Sequence, residues 1–253
     1  MNEAALYNGL LYGYFALCVV VFLVLQFLSA PYGRHTRDGW GPKVPHLAGW
    51  MIMEVPAVCT ISLCYLQADA TVTTPAIVFL GMWQLHYLNR TFVFPFRTRS
   101  GGKSMPFVIA LIGGITNIGI GYLIGRDLTF FGTIRDTTWL SSPFFITGAL
   151  LFFIGFFINN QSDTILINLR KPGETGYKIP QGGLYRYVTC PNYFGEMLEW
   201  SGFALATSSL GGLAFLLWTV ANLMPRAVQN HDWYLSKFEE YPRSRKRLIP
   251  FIF

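Results

Sequence analysis

Apolar residues come in long blocks along this chain, separated by short stretches of Gly, Pro, Arg and Lys. A helical crossing of a bilayer needs about 20 mostly apolar residues. Blocks of that kind lie at 6–28, 47–66, 73–95, 106–124 and 142–168, and a longer one runs from 193 to 224. The last is too long for one crossing, and Gly211-Gly212 interrupts it just after "ATSSL". Divided into 193–209 and 212–226, it completes a set of seven helices joined by short connections. Most of the 14 prolines fall at the edges of these segments, where they start or stop helices. "GLLYG" (9–13) and "GYLIG" (121–125) have the small-xxx-small spacing that lets helices approach closely. The expected fold is an all-α, polytopic membrane bundle with seven transmembrane helices.

Composition supports this and adds a direction. Of 253 residues, 52% are hydrophobic and only 13% charged, whereas a soluble domain carries about 25% charged residues. The aromatic share of 17%, with 22 Phe, suits lipid-facing and interfacial surface. Neither a repeat nor a separate soluble domain is visible, so residues 1–253 read as one integrated membrane domain. Of the 19 Lys and Arg, all but Arg90, Arg126 and Arg135 fall on one side of the seven-helix arrangement. Arg126 and Arg135, on the other side, are each followed by an Asp. The positive-inside rule then predicts an N-terminus outside and a C-terminus in the cytosol. The net charge of +6 is concentrated on that cytosolic face, which suits anionic headgroups or an anionic cofactor. "MNEAALYNGL" has an acid and no base before its apolar run, favouring a retained first span over a cleaved signal. Cys18, Cys59, Cys64 and Cys190 form no C-x-x-C pair and the four His lie far apart. Neither a disulfide framework nor a metal site is expected.

Against this apolar background a few polar residues stand out: Glu54, His86, Tyr87, Asn89, Arg90, Asn117, Asn159, Asn160, Asp163, Glu196 and Glu199. Ionisable groups inside a bilayer are costly and mark function by default. Glu54 lies four residues past Trp50, on the same helix face. Its carboxyl must pair, with Arg90 or His86 as candidates, or hold a proton and donate to a bound oxygen. His86, Asn89 and Arg90 share a stripe at i, i+3, i+4, with Tyr87 on its edge. A tyrosine there is either an interfacial anchor or an acid that polarises a carbonyl. Asn159 and Asp163 lie one turn apart, and Arg170 stands two turns on toward the basic end. "LRKPGETGYKIPQGGLYRYVTCPNYFGE" follows, a loop whose Tyr and Arg can stack on a planar ring, fork a phosphate or touch lipid headgroups. Asn192, Glu196 and Glu199 share a face at i, i+4, i+7. Glu196 is close enough to the expected helix start to cap it, or else meets a ligand. Glu199 is deeper and needs a partner on a neighbouring helix or loop.

Known nucleotide and hydrolase motifs are missing. "RSGGKS" (99–104) has Arg97 where a P-loop needs Gly, and there is no G-x-G-x-x-G, H-E-x-x-H or nucleophile elbow. Longer stretches are recognisable as a set: "YGRHT" (32–36), "EVP" (54–56), "HYLNRTFVF" (86–94), "INNQSDTILINLRKPGETGYKIPQGGLYRYV" (158–188), "NYFGEMLEWSGFALAT" (192–207) and "FEEYPRSRKRLIPFIF" (238–253). Together they resemble the steroid 5α-reductase family over nearly the whole chain. The closing "SRK-LIPF-F" pattern is the most specific part, while the first span and the 125–141 connection match poorly. The resemblance implies a seven-helix reductase that uses NADPH to saturate the C4–C5 double bond of a 3-oxo-Δ4-steroid. It assigns Glu54 and Tyr87 to the steroid C3 carbonyl, with Trp50 and Arg90 beside them as substrate contacts. It assigns NADPH to Tyr32, Lys103, Asn159, Asp163, Arg170, Tyr177, Asn192, Glu196, Arg226, Asn230 and Tyr234. Asn230 departs from the family, which has a run of His where this chain reads "VQNHDWYL". Residues 1–105 would be the substrate-polarising part and 106–253 the NADPH-binding part.

Other classes fit less of the chain. "CPNYFGE" (190–196) also matches the C-terminal pattern of isoprenylcysteine- and phospholipid-type methyltransferases, which bind S-adenosylmethionine. Those enzymes need neither Glu54 with the "HYLNRTF" helix nor so many cytosolic cations. A related sterol or enoyl reductase is the nearer alternative, because substrate choice follows pocket shape. A transporter would show inverted repeats, and none is visible. The expected partners are a steroid or other hydrophobic enone and membrane lipids, with no nucleic acid and no metal; a monomer suffices. The expected membrane is the endoplasmic reticulum in a eukaryote and the inner membrane in a bacterium.

Overall fold

The computed structural model describes residues 2–253 apart from 30, 32, 36, 69–71, 99–103, 172, 173 and 175. Seven long helices follow one another among these residues: α1 (Glu3–Phe27), α2 (His46–Leu66), α3 (Thr74–Leu88), α4 (Phe107–Arg126), α5 (Pro143–Asn168), α6 (Pro191–Thr207) and α7 (Leu210–Lys237). α3 continues through a π-helical turn, Asn89–Val93, into the short helix Phe94–Arg97. α4 ends in a second π turn, Asp127–Phe131. Five of these helices (α1, α2, α4 with its π turn, α5 and α7) are long and apolar enough to cross a membrane. α3 and α6, at 15 and 17 residues, fall short of that length.

Local chemistry sets the helix starts. Side-chain oxygens of Asn2, Thr73, Ser142 and Ser209 accept from N–H groups of the first turns of α1, α3, α5 and α7. A cap of this kind stabilises a helix by about 1 kcal/mol. The break between α6 and α7 falls earlier than the expected Gly211-Gly212. Ser208 adopts a left-handed conformation (φ 46°), and Ser209 accepts from the Gly212 N–H at 3.0 Å. The two glycines lie inside α7, where Gly211 fits against the Ile124 backbone and the Asp127 carboxylate. The all-α expectation also needs a small correction. β1 (Lys43–Pro45) and β2 (Ser104–Pro106) pair antiparallel, with Val44 opposite Met105. Each strand is three residues long and runs straight into a helix, too short for an alternating pattern to show in sequence.

Glycine sets how closely the helices approach. Gly148 and Gly155 on α5 face Gly202 and Gly195 on α6, and a methyl added at any of them would meet backbone atoms within 2.3–2.5 Å. α2 and α4 pack through Gly114, Gly121 and Gly125, which confirms the "GYLIG" contact. Gly9 and Gly13 of "GLLYG" have nothing beside them, so that match is not a contact.

The connections gather at two ends. At one, β1 pairs with β2, Arg97 donates to Thr164 Oγ1 at 2.7 Å, and His35 Nε2 lies 3.2 Å from Asn230 Oδ1. Residues 238–253 fold back there, with Arg245 donating to Pro180 O and to Gln181 Oε1 at 3.0 and 2.9 Å. At the other end Arg126 forks the Glu3 carboxylate at 2.7 and 2.8 Å, and Asp127 accepts from the Gly211 N–H at 2.7 Å. Between the ends, Trp83, Trp200, Phe152 and Phe203 are fully buried in an aromatic core.

Candidate active site

Toward the basic end from the aromatic core, the interior turns polar. On α3, Trp83 belongs to the core, while His86, Tyr87 and Arg90 lie one to two turns on. On α6 the order is reversed, because Asn192 and Glu196 precede Glu199 and Trp200. Glu54, His86, Asn117, Asn159, Asp163 and Glu199 are all buried. Five helices thus deliver polar groups to this part of the interior, α2 to α6.

The π turn splits the expected α3 stripe among partners on two helices. His86 Nδ1 donates to Glu199 Oε1 at 2.9 Å across to α6. Asn89 Nδ2 donates to Asn160 Oδ1 at 2.7 Å, and Arg90 pairs with Asp163 at 3.5 Å, both on α5. The Arg90 guanidinium also lies over two adjoining rings, 4.6 Å from the centroids of Trp50 and Phe94. π turns of this kind recur at functional sites because they re-aim side chains.

Glu54 accepts from Asn117 Nδ2 at 3.2 Å, and the same amide donates to Met53 O at 2.7 Å. The expected partners of Glu54, Arg90 and His86, are engaged elsewhere by Asp163 and Glu199, yet both still act on it electrostatically. Tyr87 is 4% exposed and interacts electrostatically with Glu54 and Glu196. Its ring is packed by Trp83 at 4.5 Å, His86 at 5.1 Å and Trp200 at 6.0 Å. Trp50 Nε1 is buried and has no hydrogen-bond partner among the described residues.

Asn159, Asp163 and Asn192 form one hydrogen-bonded group across α5 and α6. Asn159 Nδ2 donates to Asn192 O, and Asn192 Nδ2 to Asp163 Oδ1, each at 3.0 Å. Glu196 lies within electrostatic range of Glu54, His86, Tyr87, Asp163 and Glu199. It is not a helix cap. α6 starts at Pro191, whose missing N–H suits the first helical position, so Glu196 lies beyond the first turn.

Closer to the basic end, Arg226 Nε donates to the Tyr193 hydroxyl at 2.9 Å, and Asn230 Nδ2 approaches the same oxygen at 3.4 Å. Gly33, with φ +65°, backs onto this group, since a methyl there would stand 3.4 Å from the Arg226 guanidinium. Arg170 donates to Gly176 O at 3.1 Å, and the exposed Tyr177 ring meets Trp233 at 4.8 Å. Tyr234 is buried and stacks on Tyr241 at 5.1 Å. The Thr189 hydroxyl joins His231 Nδ1 to the Tyr241 hydroxyl at 2.6 and 2.8 Å. Burial pushes the Tyr241 phenol above its usual value. Tyr32 and Lys103 lie outside the described residues.

Three features had little or no sequence signal. Asn117 is visible as an amide in an apolar span, but not as the group that holds Glu54. Tyr193 gives no sign that it would meet Arg226 and Asn230. Glu199 is visibly in need of a partner, and only the fold supplies His86. Among the described residues no three His, Cys, Asp or Glu converge as a metal site, and no disulfide joins the four cysteines.

A family model described as 3-oxo-5-alpha-steroid 4-dehydrogenase matches residues 103–253. The chain is 44% identical to the "3-oxo-5-alpha-steroid 4-dehydrogenase 1" of Bos taurus, over 100% of this chain and 99% of that protein. With the Homo sapiens protein of the same name it shares 41% identity, over 99% and 97% of the two chains. With the "Steroid 5-alpha-reductase DET2" of Gossypium hirsutum it shares 36%, over 100% and 99%.

Proposed function

Because the chain belongs to the 3-oxo-5-alpha-steroid 4-dehydrogenase family, we propose that it reduces the C4–C5 double bond of a 3-oxo-Δ4-steroid with NADPH, inside the membrane. The observation that carries this reading is the burial of Glu54 and Tyr87, from different helices, in one polar layer and within electrostatic reach of each other. We also propose that all seven helices cross the membrane, with the basic end and the C-terminus in the cytosol. The alternation of helix ends and the placement of cations support that topology. In it, residues 1–105 polarise the substrate and 106–253 hold the cofactor, as one integrated domain.

The donor set suits an anionic dinucleotide. Arg226, with Tyr193, Asn230 and the Gly33 turn behind it, offers a cation and hydroxyl for phosphate near the basic end. Arg170, Tyr177 and Tyr234 would extend that contact, and the family resemblance adds Tyr32 and Lys103 to the proposed cofactor set. Asn159, Asp163, Asn192 and Glu196, deeper on α5 and α6, offer amide and carboxylate partners for a carboxamide and ribose. When bound, NADPH supplies the hydride that goes to C5.

The chain's own residues handle the carbonyl. Tyr87 donates to the C3 oxygen and draws electron density out of the conjugated alkene. As C5 gains its hydride, negative charge grows on that oxygen, and a donor aimed there acts as an oxyanion hole. Glu54 either carries a proton and donates to the same oxygen, or orients Tyr87; Asn117 holds its carboxyl in place. A proton from solvent then adds at C4 of the enolate, so each turnover consumes one hydride and one proton. Trp50, steadied by Arg90 and Phe94, closes the substrate side, and its buried Nε1–H is a further donor for a bound oxygen.

The test uses purified protein with NADPH and testosterone or progesterone, read by mass spectrometry. The expected product is the 5α-dihydro steroid. No product from any 3-oxo-Δ4-steroid, with no quenching of protein fluorescence by NADPH, would overturn the reading.

A further inference from the structure

Glu199 lies between the two halves of the site and is assigned to neither substrate nor cofactor. It is fully buried, and its Oε1 accepts from His86 Nδ1 at 2.9 Å. Its second oxygen, Oε2, is buried with no hydrogen-bond partner among the described residues. A half-satisfied buried pair is a poor device for stability, since well-packed apolar residues in its place are often neutral or stabilising. The surroundings suggest another purpose. Gly155 of α5 presses on the backbone of Glu199, so α6 cannot retreat at this point. The His86 ring meets the Trp200 ring edge-on at 4.7 Å and the Tyr87 ring edge-on at 5.1 Å. Tyr87 is in turn packed by Trp83 and Trp200, and its ring centroid lies 6.4 Å from that of Phe215.

We infer that His86 and Glu199 are positioning residues for Tyr87. Glu199, braced by α5, fixes the orientation of the imidazole. The imidazole edge, with the Trp83 and Trp200 rings, then fixes the phenol so that its hydroxyl addresses one point in the polar layer. The pair also ties the helix that carries Tyr87 to the helix that carries Glu196, so substrate side and cofactor side share one reference. This inference rests on the proposed role of Tyr87 in carbonyl polarisation, but its structural content is independent of it.

The experiment compares the full-length protein with E199Q and E199L, each in lipid nanodiscs. E199Q keeps an oxygen that accepts from His86, whereas E199L fills the volume and removes the acceptor. In protein carrying 3-fluorotyrosine at position 87, one sharp 19F resonance is expected for the parent and for E199Q. Broadened or multiple resonances are expected for E199L. With a 3-oxo-Δ4-steroid, E199L should lose kcat by up to about 100-fold, as misplacement of a reacting group does. KM for NADPH and the melting temperature should stay near the parent values, and E199Q should recover most of kcat. An unchanged 19F signal in E199L, or a loss of melting temperature matching the loss of kcat, would overturn the inference. A parent protein without steroid turnover would sink the proposed function instead, and the 19F comparison would still decide whether the pair orients Tyr87.

Discussion

Two helix pairs frame the site, and they are built to different tolerances. α5 and α6 meet backbone to backbone, with glycine on both helices: Gly148 and Gly155 against Gly202 and Gly195. α2 and α4 meet with glycine on α4 only, and the facing surface is largely side chain. Gly113 is met by the Met53 side chain, Gly121 by Thr60 and Gly125 by Cys64, while Gly114 alone approaches a carbonyl, that of Ile52. A methionine can change rotamer at little cost, whereas a backbone N–H cannot move without its helix. The polar groups are alike in the two pairs, each with one amide bond to a backbone carbonyl and one to a carboxylate. Across α5 and α6, Asn159 bonds a backbone carbonyl at 3.0 Å. Across α2 and α4, Asn117 bonds both the Met53 carbonyl and the Glu54 side chain. The tighter pair therefore suits the proposed cofactor side, and the more adaptable pair suits the proposed substrate wall.

The strongest way to break this contrast is Gly155→Val. Its added atoms would stand 2.3 Å from the Glu199 backbone nitrogen, so no folded protein should be recovered by size-exclusion chromatography. Recovery with an unchanged melting temperature would show that the α5–α6 contact is not tight. Tyr87→Phe comes next, since it leaves both pairs intact and removes the proposed donor. Turnover should fall about 100-fold or more, with NADPH affinity nearly unchanged; equal losses in both would make Tyr87 a structural residue. The pair of variants Asn117→Leu and Asn159→Leu separates the two walls directly. Asn117→Leu loses two amide hydrogen bonds and Asn159→Leu one, and about 10-fold is expected in one kinetic constant of each. Asn117→Leu should lower kcat, and Asn159→Leu should raise KM for NADPH. The reverse assignment in steady-state kinetics would undo the division of labour. Gly113→Ala is the smallest. Only the Met53 side chain has to yield, and alanine favours helix by about 1 kcal/mol. Thermal melting should therefore differ little from the parent, and loss of the fold would show α2–α4 to be as unyielding as α5–α6.

Much of this was legible without coordinates, because it depends on the chain segment and its solvent alone. Seven helices are placed to within a few residues except at the end of α7, which runs to Lys237 and not to the expected 226, since transfer into lipid is additive along a segment and Ser, Thr, Asn and Pro mark helix starts locally. The exceptions were local as well. Ser208 and Ser209, and not the two glycines, divide α6 from α7, and Pro191 starts α6 early enough to remove Glu196 from the cap. The polar residues that matter could also be named, as groups too costly to leave in a bilayer without purpose.

What the sequence by itself determined, then, is an apolar, mostly helical chain with a basic end, a short roster of buried polar groups and a family. Which group meets which follows from how the helices pack. Glu54 looked toward Arg90 or His86, but Asn117 holds it, while Arg90 goes to Asp163 and His86 to Glu199. Pairing depends on the rotation of each helix about its axis and on the distance between axes. Rotation here is altered by a π turn at Asn89–Val93, which adds a residue to one turn. Distance is set by glycines whose effect exists only once a second helix lies against them. Neither quantity is a property of one segment, and so neither can be read from the pattern of one segment.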